Sequence, residues 1–210
     1  ITGLLGTDSM AYSYDAITWT SISNVNLFSV SGYGATWTGT MWVAVGNGSV
    51  HTIGYSYNGI DWIGLEDDIF SGVGYGVASN TKRKHQITFP ANRMVAVGES
   101  NNTIAYSTNG TTWINVVDSD VLFSNRAKCV AFNGSMWIVG GETTNSPTTV
   151  TLAYSYNGIE WTGIIGSVCK ITSYVSAVAW NGTMWVIGGN TSDSDSSNTI
   201  AYSYDGLNWV

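Results

Sequence analysis

Five times the chain writes nearly the same phrase: SYDAITW from Ser13, SYNGIDW from Ser56, STNGTTW from Ser107, SYNGIEW from Ser155 and SYDGLNW from Ser203. The closing tryptophans, Trp19, Trp62, Trp113, Trp161 and Trp209, stand 43, 51, 48 and 48 residues apart. A period in the forties, built from Tyr, Trp, Thr, Val and Ile, points to an all-β repeat array of the propeller kind. The 210 residues are expected to form one domain, with a partial repeat over 1–19 followed by repeats over 20–62, 63–113, 114–161 and 162–210.

The last repeat shows how one unit is built. VSAVAWNGTMWVIGG, from Val175 to Gly189, reads as strand, two-residue turn, strand, with Asn181-Gly182 as the type I′ turn. A further loop leads into TIAYSYDG and LNWV, which makes four short antiparallel strands, the content of one blade. TWTGTMWVAVG from Thr36 and CVAFNGSMWIVGG from Cys129 repeat the pattern. Side chains alternate along a strand, so Tyr202 and Tyr204 share one face and Ala201 and Ser203 the other. The expectation is that these tyrosines are buried between blades, each contributing on the order of 2–3 kcal/mol. The first copy lacks its innermost strand and the last ends inside its outer strand, so five blades are expected, with the missing strand supplied from outside these residues.

The phrase itself has a turn mechanism. Asp15, Asn58, Asn109, Asn157 and Asp205 occupy one position, where a short side chain can accept from nearby backbone N–H groups. Gly59, Gly110, Gly158 and Gly206 follow, suited to a left-handed backbone, and Ala16 replaces glycine in the first copy, where slight strain is expected. The tryptophan then covers the hairpin. This pattern resembles the Asp-box, or BNR, repeat of sialidase-like propellers, in a form one residue shorter than S-x-D-x-G-x-T-W. The resemblance implies a propeller fold and structural turns lying away from any catalytic centre.

It does not extend to the family's catalytic set. Sialidases use three arginines on the substrate carboxylate, a tyrosine nucleophile with a glutamate, and an aspartate acid. This chain has Arg83, Arg93 and Arg126, the first two on one hairpin. The carboxylates Glu66, Asp67 and Asp68, and Asp118 and Asp120, read as solvated loop charge. Asp193 and Asp195 have the oxygen-rich look of a calcium loop, but lack the glycine and distant glutamate of an EF-hand. His51 and His85 have no partners at metal-ligand spacing, and the spacing of Cys129 and Cys169 implies no bridge. No catalytic residue and no cofactor is nominated.

Net charge is −7, which argues against nucleic acid as a partner. No apolar run approaches the roughly 18 residues that span a bilayer. No signal peptide is visible and residue 1 is Ile, so the chain is read as a mature or excised piece. Six N-x-S/T sequons, at Asn47, Asn101, Asn109, Asn133, Asn181 and Asn190, are mostly explained by turn chemistry. An inserted loop from Ser79 to Asn92 carries Lys82, Arg83, Lys84 and His85, and is expected on the same face as the phrase's turns.

Two functions fit. The first is a lectin-like binding module for surface glycans through repeated loop sites, expected in the loops between second and third strands (46–50, 99–103, 142–150 and 190–199) and between blades, where Ser, Thr, Asn and Asp with nearby Tyr and Trp offer one weak site per blade. The second is an exterior or cement component of a virion or cell-surface assembly. A fragment of a sialidase-like glycosidase is the outlying alternative. The expected location is extracellular, on a cell surface or on a virion, with a glycan or protein partner. An exposed aromatic at the same site in every blade is what a lectin needs and a scaffold does not.

Overall fold

The computed structural model describes residues 1–3, 8–22, 27–66, 69–80, 92–142, 150–165, 168, 171–191 and 199–210. The sequence candidates Asp67, Asp68, Lys82 to His85, Cys169, Asp193 and Asp195 lie outside them. Nearly every described element is a strand. A first sheet joins β1 (Thr2–Gly3), β2 (Met10–Tyr12) and β3 (Thr20–Ser21). A second joins β4 (Ser31–Trp37), β5 (Trp42–Asn47), β6 (Ile53–Ser56) and β7 (Ile63–Gly64), and a third β8 (Gly74–Ser79), β9 (Met94–Gly98), β10 (Ile104–Ser107) and β11 (Ile114–Asn115). One helical turn, α1 (Ser119–Leu122), leads to β12 (Arg126–Phe132), β13 (Trp137–Glu142), β14 (Val150–Ser155) and β15 (Thr162–Ile165). The fifth unit is β16 (Tyr174–Trp180), β17 (Trp185–Asn190) and β18 (Ile200–Ser203). Tyr202 and Val210 exchange two backbone hydrogen bonds of 2.9 Å, the beginning of its outer strand. Every pairing among the described strands is antiparallel and joins chain neighbours, except that one Glu142–Tyr174 pair links β13 to β16 and bridges the fourth and fifth units into a seven-stranded sheet.

The units stack through their first strands: β4 lies against β8, β8 against β12, and β12 against β16. A Cβ on Gly34 would stand 3.5 Å from the Gly76 Cα, and one on Gly76 would stand 3.4 Å from the Cys129 Cα. First strands therefore converge, a propeller-like arrangement of blade-like sheets.

Period-two alternation builds the core between them. On β5, Val43 and Val45 face the third sheet, packing with Phe70, Met94 and Ala96, while Ala44 faces the first sheet with Met10 and Phe28. On β13, Trp137 and Val139 face back to Val95 and Val97, and Ile138 faces forward to Trp185 and Ile187. Each fully buried aliphatic contributes about 1.5–3 kcal/mol.

The structure differs from the sequence reading at two points. The hairpin turns are centred one residue later than Asn181-Gly182: Asn181 N–H donates to the Met184 carbonyl, so Gly182-Thr183 are the central pair. Only Gly182 has positive φ (101°), as a type II′ turn asks, and the Asn181 Oδ1 instead accepts from the Thr183 and Met184 N–H groups. Likewise, the small face of the Ala-Tyr-Ser-Tyr strands is the buried one: Ala105, Ala153 and Ala201 lie in the core, while Tyr14, Tyr57, Tyr156 and Tyr204 project into solvent. The serine is held inward because its hydroxyl belongs to the turn, which turns the flanking tyrosine out.

Each turn glycine also receives a side chain from the preceding sheet. A Cβ on Gly59 would meet Ile1 Cδ1 at 3.1 Å, on Gly110 Met41 Sδ at 2.7 Å and on Gly158 Arg93 Cδ at 2.7 Å; on Gly206 it would overlap the Met136 methyl. All four have φ between 73° and 82°. Ala16 adopts φ 60° in the first turn, exposed. We expect Gly110→Ala to lower unfolding stability by about 1–2 kcal/mol or more, through left-handed strain and the Met41 clash. Ala16→Gly should raise it by up to about 1 kcal/mol. Chemical denaturation of the two variants checks both signs.

Candidate functional site

The recurrent phrase folds into the same turn five times. The Ser13, Ser56, Ser107, Ser155 and Ser203 hydroxyls donate to the Asx Oδ1 two residues on, at 2.9–3.2 Å. The same oxygens accept from the N–H of Ala16, Gly59, Gly110, Gly158 and Gly206 at 2.8–2.9 Å. Oδ1 of Asp15, Asn58, Asn109, Asn157 and Asp205 then accepts from two further N–H groups, two and three residues ahead, at 2.7–3.0 Å. Three closing tryptophans latch the loop: the indole N–H of Trp62, Trp113 and Trp209 donates to the Gly59, Gly110 and Gly206 carbonyls at 3.1–3.2 Å. Trp19 is half exposed, and the buried Trp161 indole nitrogen has no such partner.

Beside four of these turns stands an exposed ring. Tyr14, Tyr57, Tyr156 and Tyr204 are 90%, 64%, 59% and 68% exposed. Each is propped edge to face on the tyrosine two residues before it, with centroids 5.6–5.9 Å apart and planes at 76–84°. That geometry is the favourable one for the ring quadrupoles and restrains the outer ring while leaving a face open. The third repeat has Thr108 here and lacks the platform.

The opposite end of the sheets carries a second repeated feature. Each first strand has a β-bulge at one position, occupied by Tyr33, Tyr75, Lys128 and Ser176. A bulge leaves its extra residue outside the ladder and re-aims its side chain. The Tyr33 and Tyr75 rings meet at 5.5 Å. The Tyr75 hydroxyl donates to Glu99 Oε2 at 3.0 Å and accepts from Arg126 Nη1 at 3.4 Å. Glu142 Oε2 lies 3.4 Å from both Arg126 Nε and Lys128 Nζ, the former an ionic contact without hydrogen-bond alignment. Lys128 Nζ sits 3.7 Å over the Tyr174 ring. Burial pushes the Tyr75 phenol up. The Arg126 guanidinium, which burial alone would push down, is held up by Tyr75, Glu142 and Glu99. The network is charge-balanced and ties the second to fifth sheets together. Sequence reasoning passed it by; the paired Gly-Tyr-Gly at Gly32–Gly34 and Gly74–Gly76 was its visible trace.

No protein-family model matches the sequence, and no curated protein matches it. Among solved structures, the chain is similar to a GH74 enzyme of Niastella koreensis, at 17% identity and TM-score 0.46, over 98% of this chain and 34% of that one. It is also similar to the computationally designed Ika8 protein, at 11% identity and TM-score 0.38, over 87% of this chain and 72% of that one. The chain thus spans about a third of the length of the GH74 enzyme.

The remaining sequence candidates are dispersed. His51 Nδ1 lies 2.9 Å from the Leu65 carbonyl and its ring fills the space beside Gly64. Asp118 precedes α1 with a left-handed backbone, φ 58°. No group of three metal-ligating side chains occurs among the described residues, and none of their helices is long and apolar enough to cross a membrane. Arg93 and Arg126 do not converge: Arg93 stacks over Tyr106 at the turn end, and Arg126 lies at the bulge end. Cys129 is a free thiol whose Sγ is turned inward, 3.8 Å from the Gly140 carbonyl oxygen and 3.9 Å from that of Val175. Burial pushes this thiol up to about 12.

Two measurements follow from these groups. Backbone N–H donors hold the Asp15 and Asp205 carboxyls well below the usual carboxylate range. A depressed folded-state value contributes stability above the unfolded carboxyl's titration, near pH 4, and loses it as pH falls through the folded value. Asp205→Asn, which installs the residue of the middle repeats, should make the loss of unfolding stability below pH 4 shallower. Equal acid slopes in the two proteins would contradict this. Cys129 should react with a thiol reagent at pH 8 far more slowly in the folded protein than in denaturant, because the thiolate is scarce and enclosed.

Proposed function

We propose that the chain is a non-enzymatic binding module, a β-propeller of five Asp-box-type blades that recognises neutral surface glycans through repeated weak sites, one beside each of four turns. The observation that carries this reading is the recurrence of a propped, exposed tyrosine at the same place beside four of the five turns. An open ring face covers the apolar face of a sugar, and the surrounding amides and hydroxyls supply hydrogen bonds. Beside Tyr57 these are Asn58 and Asp61, joined at 2.8 Å; beside Tyr156 they are Asn157 and Glu160, joined at 3.3 Å. A scaffold has no reason to leave large rings in water at a fixed period. Each site is shallow, so useful affinity comes from several engaging one multivalent surface. Such a module belongs outside the cell, on a cell surface or on a virion.

Glycan-array binding by the folded chain, with calcium and with chelator, tests the proposal. Saturable binding to a defined sugar family is expected. Removing Tyr57 and Tyr156 together should cost far more avidity on a multivalent surface than either substitution alone, because linked weak sites multiply. A blank array from a folded, monodisperse sample would sink the lectin reading in favour of an assembly component.

A further inference from the structure

We propose, independently of the carbohydrate reading, that copies of this chain associate head to tail, the fifth sheet of one docking on the first sheet of the next. Contacts between sheets inside the chain follow one plan. The leading face of a sheet presents an aliphatic side chain from its second strand and another from its third. In the second to fourth sheets these are Val43, Val95 and Ile138, then Ile53, Ile104 and Leu152, none more than 1% exposed. The next sheet's turn closes over them: a Cβ on Gly110, Gly158 or Gly206 would stand 3.0–3.4 Å from Val43, Val95 or Ile138. Its tryptophan joins the same cluster, Trp113 and Trp209 with Val43 and Ile138, Trp161 with Val95.

The fifth sheet has this leading face with nothing over it among the described residues. Ile200, in the place of Ile53 and Leu152, is 70% exposed, and Tyr202 beside it is 39% exposed. Val186 and Met184 are partly exposed, whereas Val43, Met41 and Met136 in the same places are buried. A Cβ on Gly188 would meet only the Thr199 carbonyl oxygen, at 3.8 Å; on Gly140, its counterpart in the fourth sheet, it would crowd Val175 of the following sheet. The first sheet bares the matching rear surface. Trp19 is 46% and Ile17 85% exposed, and Ala16 is exposed where the four turn glycines are buried.

The two bare surfaces are the halves of one more contact of the kind the chain already makes between its own sheets. Both stand open, so those of a single chain do not cover each other, and a second copy offers each its complement. Because the halves differ, the contact is heterologous, and copies add end to end. Burial of Ile200, Tyr202 and Trp19 drives it. The Ala16 methyl stands where Met184 would enter, as a Cβ on Gly110 would meet Met41 Sδ at 2.7 Å, so the contact is looser than those within the chain.

Sedimentation of the 210-residue chain over a range of concentrations tests this. The mean mass should rise above that of one chain as concentration increases. Ile200→Asp and Trp19→Asp, each shown to fold by its melting curve, should each stay monomeric alone. Mixed in equal amounts they should form a dimer and nothing larger, because each keeps one intact surface. Ile17→Asp, on the same rear surface, replaces Trp19→Asp should that variant not fold. Ala16→Gly should tighten association several-fold by opening the socket, which general apolar stickiness would not do. A monomer at every concentration, association untouched by either substitution, or no gain from Ala16→Gly would overturn the proposal. Loss with Ile200→Asp but not with the rear-surface variants would also overturn it, in favour of fifth sheets pairing face to face.

Discussion

One close approach underlies the whole stack: a left-handed residue without a Cβ lets a side chain of the preceding sheet sit against the next sheet's turn. Ile1, Met41, Arg93 and Met136 occupy those places against Gly59, Gly110, Gly158 and Gly206. The serine and Asx hydrogen bonds hold each glycine at the required φ, so local turn chemistry and contact between sheets are a single device. The spacing of successive sheets then follows, and with it the alternating core in which Val43 and Val45 look one way and Ala44 the other. Local and tertiary preferences agree in these turns, which is the condition for a sequence to specify one structure.

Much of this was legible in the residues. The period located the sheets, alternation located their faces, and Asx-Gly located the turns, because each is a short-range rule. Reading failed where the outcome depended on the neighbouring sheet. Tyr202 and Tyr204 read as core because bulky side chains usually are; the serine's commitment to the turn puts the small face inside instead. The hairpin centre slipped by one residue because the Asn181 side chain serves as an acceptor, leaving Gly182 to supply the positive φ. The charged cluster around Arg126 was hidden because its members come from β8, β12, β13 and β16 and from Glu99, beyond the end of β9. Sequence spacing says nothing about such a meeting.

The two ends of the sheets have different characters. At the turn end, backbone groups are consumed by internal hydrogen bonds and rings are left standing in water. At the bulge end, cations and carboxylates neutralise one another across sheet boundaries, and surface pairs of this kind contribute little individually.

The bulges have a consequence for how such a chain can vary. Tyr33, Tyr75, Lys128 and Ser176 hold the same position in four first strands, yet are aromatic, aromatic, cationic and hydroxylic. The ladder makes no demand on the extra residue, so the hydrogen-bond register within a sheet does not depend on its identity. Mutation can rewrite the chemistry at the bulge end one sheet at a time, while the hydrogen-bond register that holds each sheet together is inherited unchanged.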